Sequence, residues 1–260
     1  MIINNDANNP DTVVKSTSSC FSWDNERRDA NKKSYLFEWS YYNGVVFEGL
    51  DYIYDVTGSA EYESYVKRYL SAMIGSDGNL NSYAGYVDYH GADCYKTASL
   101  LLDYGYTTAA SKLYADLTTG NGSKYVDPSV GNNYWHSGWA SGGSYSTTSA
   151  PNYKVWLDGI YMIQPFLAEY ASSINDIEEL DTIAQRFAWI GENMVDPETG
   201  LYYHAASSST KYNGNFWLRA IGWYAMAMVD VMPYMDGANL EAMKAQFKSF
   251  VDAMIKYQDS

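Results

Sequence analysis

Asp158 stands in the run Val155-Trp156-Leu157-Asp158-Gly159-Ile160-Tyr161, a carboxyl group among apolar neighbours. Burial disfavours the charged form, so such a group is expected to keep its proton to a higher pH than a solvated aspartate, as a general acid requires. The competing reading is a carboxylate that bonds a neighbouring helix end. Arg219 stands in a second apolar run, Phe216-Trp217-Leu218-Arg219-Ala220-Ile221-Gly222-Trp223. A guanidinium there either clamps a ligand carboxylate or pairs with a buried aspartate such as Asp158 or Asp93. Asp93 opens a helical segment, a position equally suited to an N-cap and to a site. The chain has three histidines, His90, His136 and His204, all in long loops. A loop histidine is ordinarily just solvated, but three at one end favour a site. None is paired at i, i+4 and no cysteine or carboxylate cluster accompanies them, so no metal is expected. Phosphate-loop, GxSxG and Cys/His nucleophile patterns are absent as well, and no cofactor is expected.

The elements that must position these residues read as helices. Apolar periodicity predicts them at roughly 35–56, 59–74, 92–105, 107–118, 153–172, 176–194, 215–233 and 238–257. The last carries Leu240, Met243, Phe247, Phe250, Val251 and Met254 on one stripe, and the 176–194 helix repeats the pattern with Ile177, Leu180, Ala184, Phe187 and Ile190. The helices before them are apolar almost all round, which signals burial on several sides. Buried and half-exposed helices therefore alternate, with a repeat of about 60 residues per pair, the mark of a helical-hairpin array. The wrap of the first helices favours a closed ring over an open solenoid. In such a ring the long loops ahead of the first helices gather at one end, over helix N-termini whose unpaired N–H groups suit an anionic ligand. Trp39, Tyr41, Trp156, Trp217 and Trp223 fall near the starts of first helices, where a ring of aromatics would make a sugar cleft.

Composition narrows the class. Of the 260 residues 47% are hydrophobic and 18% charged, and no run is long and apolar enough for a membrane span. The net charge of −14 argues against nucleic-acid binding. Two cysteines, Cys20 and Cys94, are too few for a disulfide scaffold. The N-terminus lacks the basic-then-apolar pattern of a secretory signal, so a cytoplasmic location is expected. The 27 tyrosines are excessive, and are read as inner-helix packing except for a few rings near Asp158.

Three segments together resemble a known family: Val155 to Ala171, Asp196 to Ala205 and Phe216 to Pro233. They are similar to the unsaturated glucuronyl and rhamnogalacturonyl hydrolases, glycoside hydrolase families 88 and 105, and the segment from Trp39 to Gly58 resembles their first inner helix. The resemblance runs from about residue 36 to the end. It implies an all-α (α/α)6 barrel, a toroid of six hairpins, and a hydrolase that removes a terminal 4,5-unsaturated uronic acid by hydrating its vinyl ether. By matched position, Asp158 corresponds to the proton donor and Asp93 to the second active-site aspartate. His136, His204, Arg219, Trp223, Trp217 and Tyr41 correspond to substrate contacts. Ser137, where the family often has Lys, and Ala220-Ile221, where it has Gly-Asn, depart from the pattern and remove polar contacts near the sugar. The expected substrate is an unsaturated galacturonyl-rhamnose fragment of pectin. The alternatives are an unsaturated glucuronyl hydrolase acting on glycosaminoglycan fragments, and a silent sugar-binding or interaction protein on the same scaffold. Residues 1–34 are expected to be a partly irregular extension, and the hairpins counted are four where the family has six. Residues 35–260 are then a C-terminally truncated ring with an open apolar flank.

Overall fold

A computed structural model describes residues 39–80, 91–136, 155–207 and 215–258. The expected extension over 1–34, His90 and Ser137 lie outside those residues. What is described is four helical hairpins. The first is α1 (Tyr41–Thr57) with α2 (Ala60–Met73). In the second, a 3₁₀ segment (Ala92–Leu100) leads to α3 (Thr107–Thr118). The third is α4 (Leu157–Ser173) with α5 (Ile177–Asn193), and the fourth α6 (Leu218–Val231) with α7 (Gly237–Lys256). Two two-stranded ribbons accompany them, β1 (Val126–Asp127) with β2 (Asn133–Tyr134) and β3 (Val155–Trp156) with β4 (Ala205–Ala206).

The expected alternation of buried and half-exposed helices holds for the two middle hairpins, where the 3₁₀ segment and α4 are enclosed, but not for α1 and α6, which bury one face each because no further inner element packs on their other side among the described residues. In α4, fourteen residues from Leu157 to Ala171 are buried, polar Gln164 among them. Its neighbours α5 and α7 bury one face each. The inner elements pack in chain order, α1 on the 3₁₀ segment, that segment on α4, and α4 on α6. Three further expectations are corrected. The second inner element is 3₁₀ rather than α. Residues 155–156 and 215–217 are extended and enter their helices instead of belonging to them. Ile177, expected on the buried stripe of α5, is 53% exposed at the first turn, and Arg186 is buried instead, donating to Glu179 and to the Asn132 carbonyl.

Close approach explains one glycine. A Cβ on Gly44 would lie 2.8 Å from Thr97 Oγ1 and 2.9 Å from the Thr97 nitrogen, so only glycine lets α1 rest on the 3₁₀ backbone. The outer edges of the inner arc are apolar and open. On α1 they expose Tyr42, Val46, Tyr52, Ile53 and Val56, and on α6 Leu218, Met226 and Val229.

At the C-terminal ends of the inner elements lies a cavity of about 370 Å³, lined by Glu48, Asp51, Asp55, Asp103, Glu169 and Asp230 among others. Burial first, then the charges of Asp103 and Glu48, push the Glu169 carboxyl up to about 8. Burial likewise raises Asp230 to about 6. A carboxyl whose folded pKa is raised holds a proton that the unfolded chain releases. Its stabilising effect is greatest at low pH and is lost as pH rises toward the folded value. The thermal midpoint is therefore expected to fall between about pH 5 and 8, and Glu169→Gln to flatten that slope and raise the midpoint at pH 8. Parallel curves for the two proteins would show that Glu169 carries no such linkage.

Candidate active site

The other end of the arc holds the chemistry. The backbone brings the loops there. β3 pairs antiparallel with β4, Trp156 opposite Ala205, which fixes His204 beside the start of α4. The Leu157 N–H then donates to the His204 carbonyl at 3.1 Å, and the His204 N–H to the Asn215 carbonyl at 2.9 Å. On the opposite side the Ala92 N–H donates to the His136 carbonyl at 2.8 Å, hanging His136 over the 3₁₀ segment. Two N–H groups expected to await an anion are thus taken by loop carbonyls, and positive charge at this end comes from Arg219.

Asp158 occupies the first turn of α4 and is 5% exposed. Arg219, the second residue of α6, donates to Oδ1 through Nε at 3.2 Å and Nη2 at 3.0 Å. His204 Nε2 lies 3.1 Å from Oδ2, and donates to it where that oxygen is ionised. The expected raised pKa is overturned. Burial alone would raise it, but the His204 hydrogen bond and the charges of His136, His204 and Arg219 outweigh burial and hold Asp158 below the usual carboxylate range. The helix N-terminus favours the ionised form too. The surroundings of Asp158 therefore favour its carboxylate form.

Asp93 lies in the first turn of the 3₁₀ segment, whose N-cap is Gly91, so it is not the cap. Its Oδ1 is 3.8 Å from His136 Nε2. His136 is driven toward its neutral form by burial, against the charges of Asp93 and Asp158. Gly159 makes room for it: a Cβ there would stand 2.9 Å from His136 Nδ1.

Trp156, one aromatic among several in the sequence, organises the site. Its indole stacks on His136, with centroids 4.4 Å apart and planes at 15°, and meets His204 at 5.0 Å. His204 in turn lies 5.8 Å from Trp217, on whose ring Arg219 rests at 5.4 Å. Trp217 is 50% exposed and forms an open aromatic face beside the guanidinium. Trp223 lies one turn deeper and stacks on Tyr161 at 5.0 Å. Tyr41 opens α1 and is set edge-on to Tyr42. The structure thus brings Asp158, His204, Arg219 and Trp217 into one connected group, and places His136 and Asp93 across Trp156 from it. Trp223 and Tyr41 lie on the inner helices α6 and α1, and their ring contacts are with Tyr161 and Tyr42. Among the described residues no set of three or more metal-ligating side chains is placed to hold an ion, and no helix is long and apolar enough to cross a membrane.

Comparison with known proteins gives consistent matches. The family model described as Glycosyl Hydrolase Family 88 matches residues 15–260. The unsaturated rhamnogalacturonyl hydrolase YesR of Bacillus subtilis (strain 168) is 22% identical over 238 residues, covering 86% of this chain and 62% of the relative. A solved family 105 glycoside hydrolase from C. acetobutylicum ATCC 824 superposes with a TM-score of 0.70 at 25% identity, over 85% of this chain and 61% of its own. A possible family 105 member from Salmonella enterica gives a TM-score of 0.61 at 18% identity, over 90% of this chain and 60% of that one. The chain spans less than two thirds of the length of each of these relatives.

Proposed function

The chain belongs to Glycosyl Hydrolase Family 88, and we propose that it hydrolyses oligosaccharides ending in a 4,5-unsaturated uronic acid. The observation that carries this reading is the cluster at the start of α4. One carboxyl group, a guanidinium and an imidazole share hydrogen bonds beside an exposed indole face. An acidic sugar presents a flat apolar face and an anion, and an indole beside a guanidinium complements both.

In this reading Asp158 gives a proton to C4 of the vinyl ether, and the positive charge that develops at C5 is shared with the ring oxygen. The carboxylate left behind takes a proton from water as its oxygen adds at C5, and the hemiketal opens to release the aglycone. One carboxyl group cycling through both protonation states suffices, so the nucleophile-and-acid pair of retaining glycosidases is not needed. His204 and Arg219 orient Asp158. Trp217 and Trp156 offer stacking faces, and His136, braced by Asp93, borders the sugar. Trp223 and Tyr41 complete the rim.

The uronic acid is proposed to be galacturonyl linked to rhamnose, supported by the likeness to YesR. The test is the ultraviolet absorbance of the conjugated enol-carboxylate in lyase-generated disaccharides. The pectin-derived disaccharide is expected to lose it at least ~10-fold faster than the glycosaminoglycan-derived one, the discrimination that one or two sugar contacts supply. Equal or reversed rates would refute the substrate assignment. No loss with either would refute the hydrolase reading.

A further inference from the structure

The reading above asks Asp158 to give a proton, yet both of its oxygens already face N–H groups. Oδ1 accepts twice from Arg219, and Oδ2 faces His204 Nε2. Arg219 can only donate, and a proton on Oδ2 would point at His204 Nε2, so a proton able to reach the sugar requires one partner to leave first.

The two partners differ in freedom. His204 is fixed through both its N–H and its carbonyl, and its ring lies between Trp156 and Trp217. The Arg219 side chain is 57% exposed, against 14% for His204, and it rests on a half-exposed indole over which it can slide. The remaining groups near Asp158 are His136, whose charged form would also favour the carboxylate but which burial drives toward neutral, and Asp93 behind it. Neither offers a cation to replace the guanidinium.

Resting on that reading, we propose that Arg219 is a positioning residue that converts Asp158 from carboxylate to acid when substrate arrives. The sugar's carboxylate draws the guanidinium off Oδ1, and Asp158 takes one proton from solvent. The balance closes. The Arg219–Asp158 ion pair breaks, an Arg219–sugar pair forms, and one O–H bond forms on Asp158 with a proton supplied by hydronium or buffer acid. Without that proton two carboxylates would share one guanidinium in a buried site, an arrangement that drives one of them to protonate. The substrate's acid group is thus needed for chemistry as well as for binding, and the site stays unarmed toward neutral sugars.

Calorimetric titration tests this with a saturated galacturonyl-rhamnose disaccharide, which has no double bond to hydrate. Runs at pH 7 in buffers of different ionisation enthalpy count the protons exchanged. Wild-type protein is expected to take up about one proton per ligand bound, by linkage to the pKa change. The neutral analogue, with hydroxymethyl in place of the carboxylate, is expected to bring none. Uptake is expected to vanish in Asp158→Asn and to persist in His204→Gln. In Arg219→Gln the alkaline limb of kcat/KM is expected at higher pH even as KM rises, a displacement that lost packing alone would not give. Binding without uptake, uptake surviving in Asp158→Asn, an unmoved limb in Arg219→Gln, or no saturable binding of the acidic disaccharide would each overturn the proposal. Turnover of the unsaturated disaccharide, read separately by absorbance, keeps the two ideas apart. Turnover without uptake sinks the switch alone, and uptake without turnover sinks the hydrolase reading alone.

Discussion

Asp158→Asn is expected to lower kcat on the unsaturated disaccharide by about 10³-fold, within the range that a positioned general acid–base contributes. The amide matches the carboxyl in shape and keeps an acceptor for Arg219, so KM and the unfolding midpoint are expected to change little. Loss of folding would therefore be visible and separable from loss of chemistry. Retained turnover in this variant would remove Asp158 from the mechanism. The pH profile of the wild type carries a matching sign. kcat/KM reports the free enzyme, in which the His204 hydrogen bond and the charges of His136, His204 and Arg219 outweigh burial and hold Asp158 below the usual carboxylate range. It is expected to fall as pH rises through the neutral range, by up to ~10-fold per unit. kcat reports the complex, in which the guanidinium has turned to the sugar, and is expected to hold to higher pH.

The largest effect on stability is expected from Lys96→Met. Lys96 is fully enclosed. Its ammonium donates to Glu48 Oε1 at 2.7 Å and lies 3.9 Å from the Tyr161 ring centroid, while the Tyr161 hydroxyl donates to Glu48 Oε2 at 2.9 Å. Three inner elements, α1, the 3₁₀ segment and α4, therefore converge on one ion pair. Methionine fills the same volume but leaves the Glu48 carboxylate with a phenol as its remaining partner, near Asp51 and Asp230. Removing one member of a buried pair costs about 3 kcal/mol or more. The urea midpoint should drop accordingly with an unchanged slope. A second change, Glu48→Gln, should return part of the loss, because the cost lies in the unmatched charge. A loss below ~0.5 kcal/mol, the range of an ordinary surface substitution, would show that the pair is not structural. Lys96 also lowers the pKa values of Glu169 and Asp230, so the variant should steepen the pH dependence of stability set by those two groups.

The helices were legible because their signal is local. The apolar spacing from Leu240 to Met254 needs no knowledge of what it packs against, and α7 falls within one residue of the expected bounds. Asp158 itself was legible as a polar exception in an apolar run, but its protonation state was not. The residues beside it in sequence are apolar and argue for a raised pKa, whereas the groups that lower it, His136, His204 and Arg219, lie in other loops and helices. The ribbon that delivers His204 was hidden for the same reason. Its strands are two residues long and pair only across a distant loop, which leaves no alternation to detect. Trp156 was legible as one of several cleft aromatics but not as their centre, since nothing in its own segment shows an imidazole on either side of it. The 3₁₀ character of Ala92–Leu100 was also out of reach, because nine residues are too few to separate a period of 3.0 from one of 3.6.

That period matters for the whole ring. In a 3₁₀ helix side chains three apart eclipse one another. Asp93, Lys96 and Ser99 therefore form a straight column along one rung. Its top lies 3.8 Å from His136 at the Asp158 end, its middle grips Glu48, and its foot lines the acidic cavity at the far end. An α-helix would turn each successive member about 60° away from the last, and no single row could reach all three stations. On this rung the sequence is read in threes, and an inserted or deleted residue would break the alignment of both ends with the middle at a single stroke.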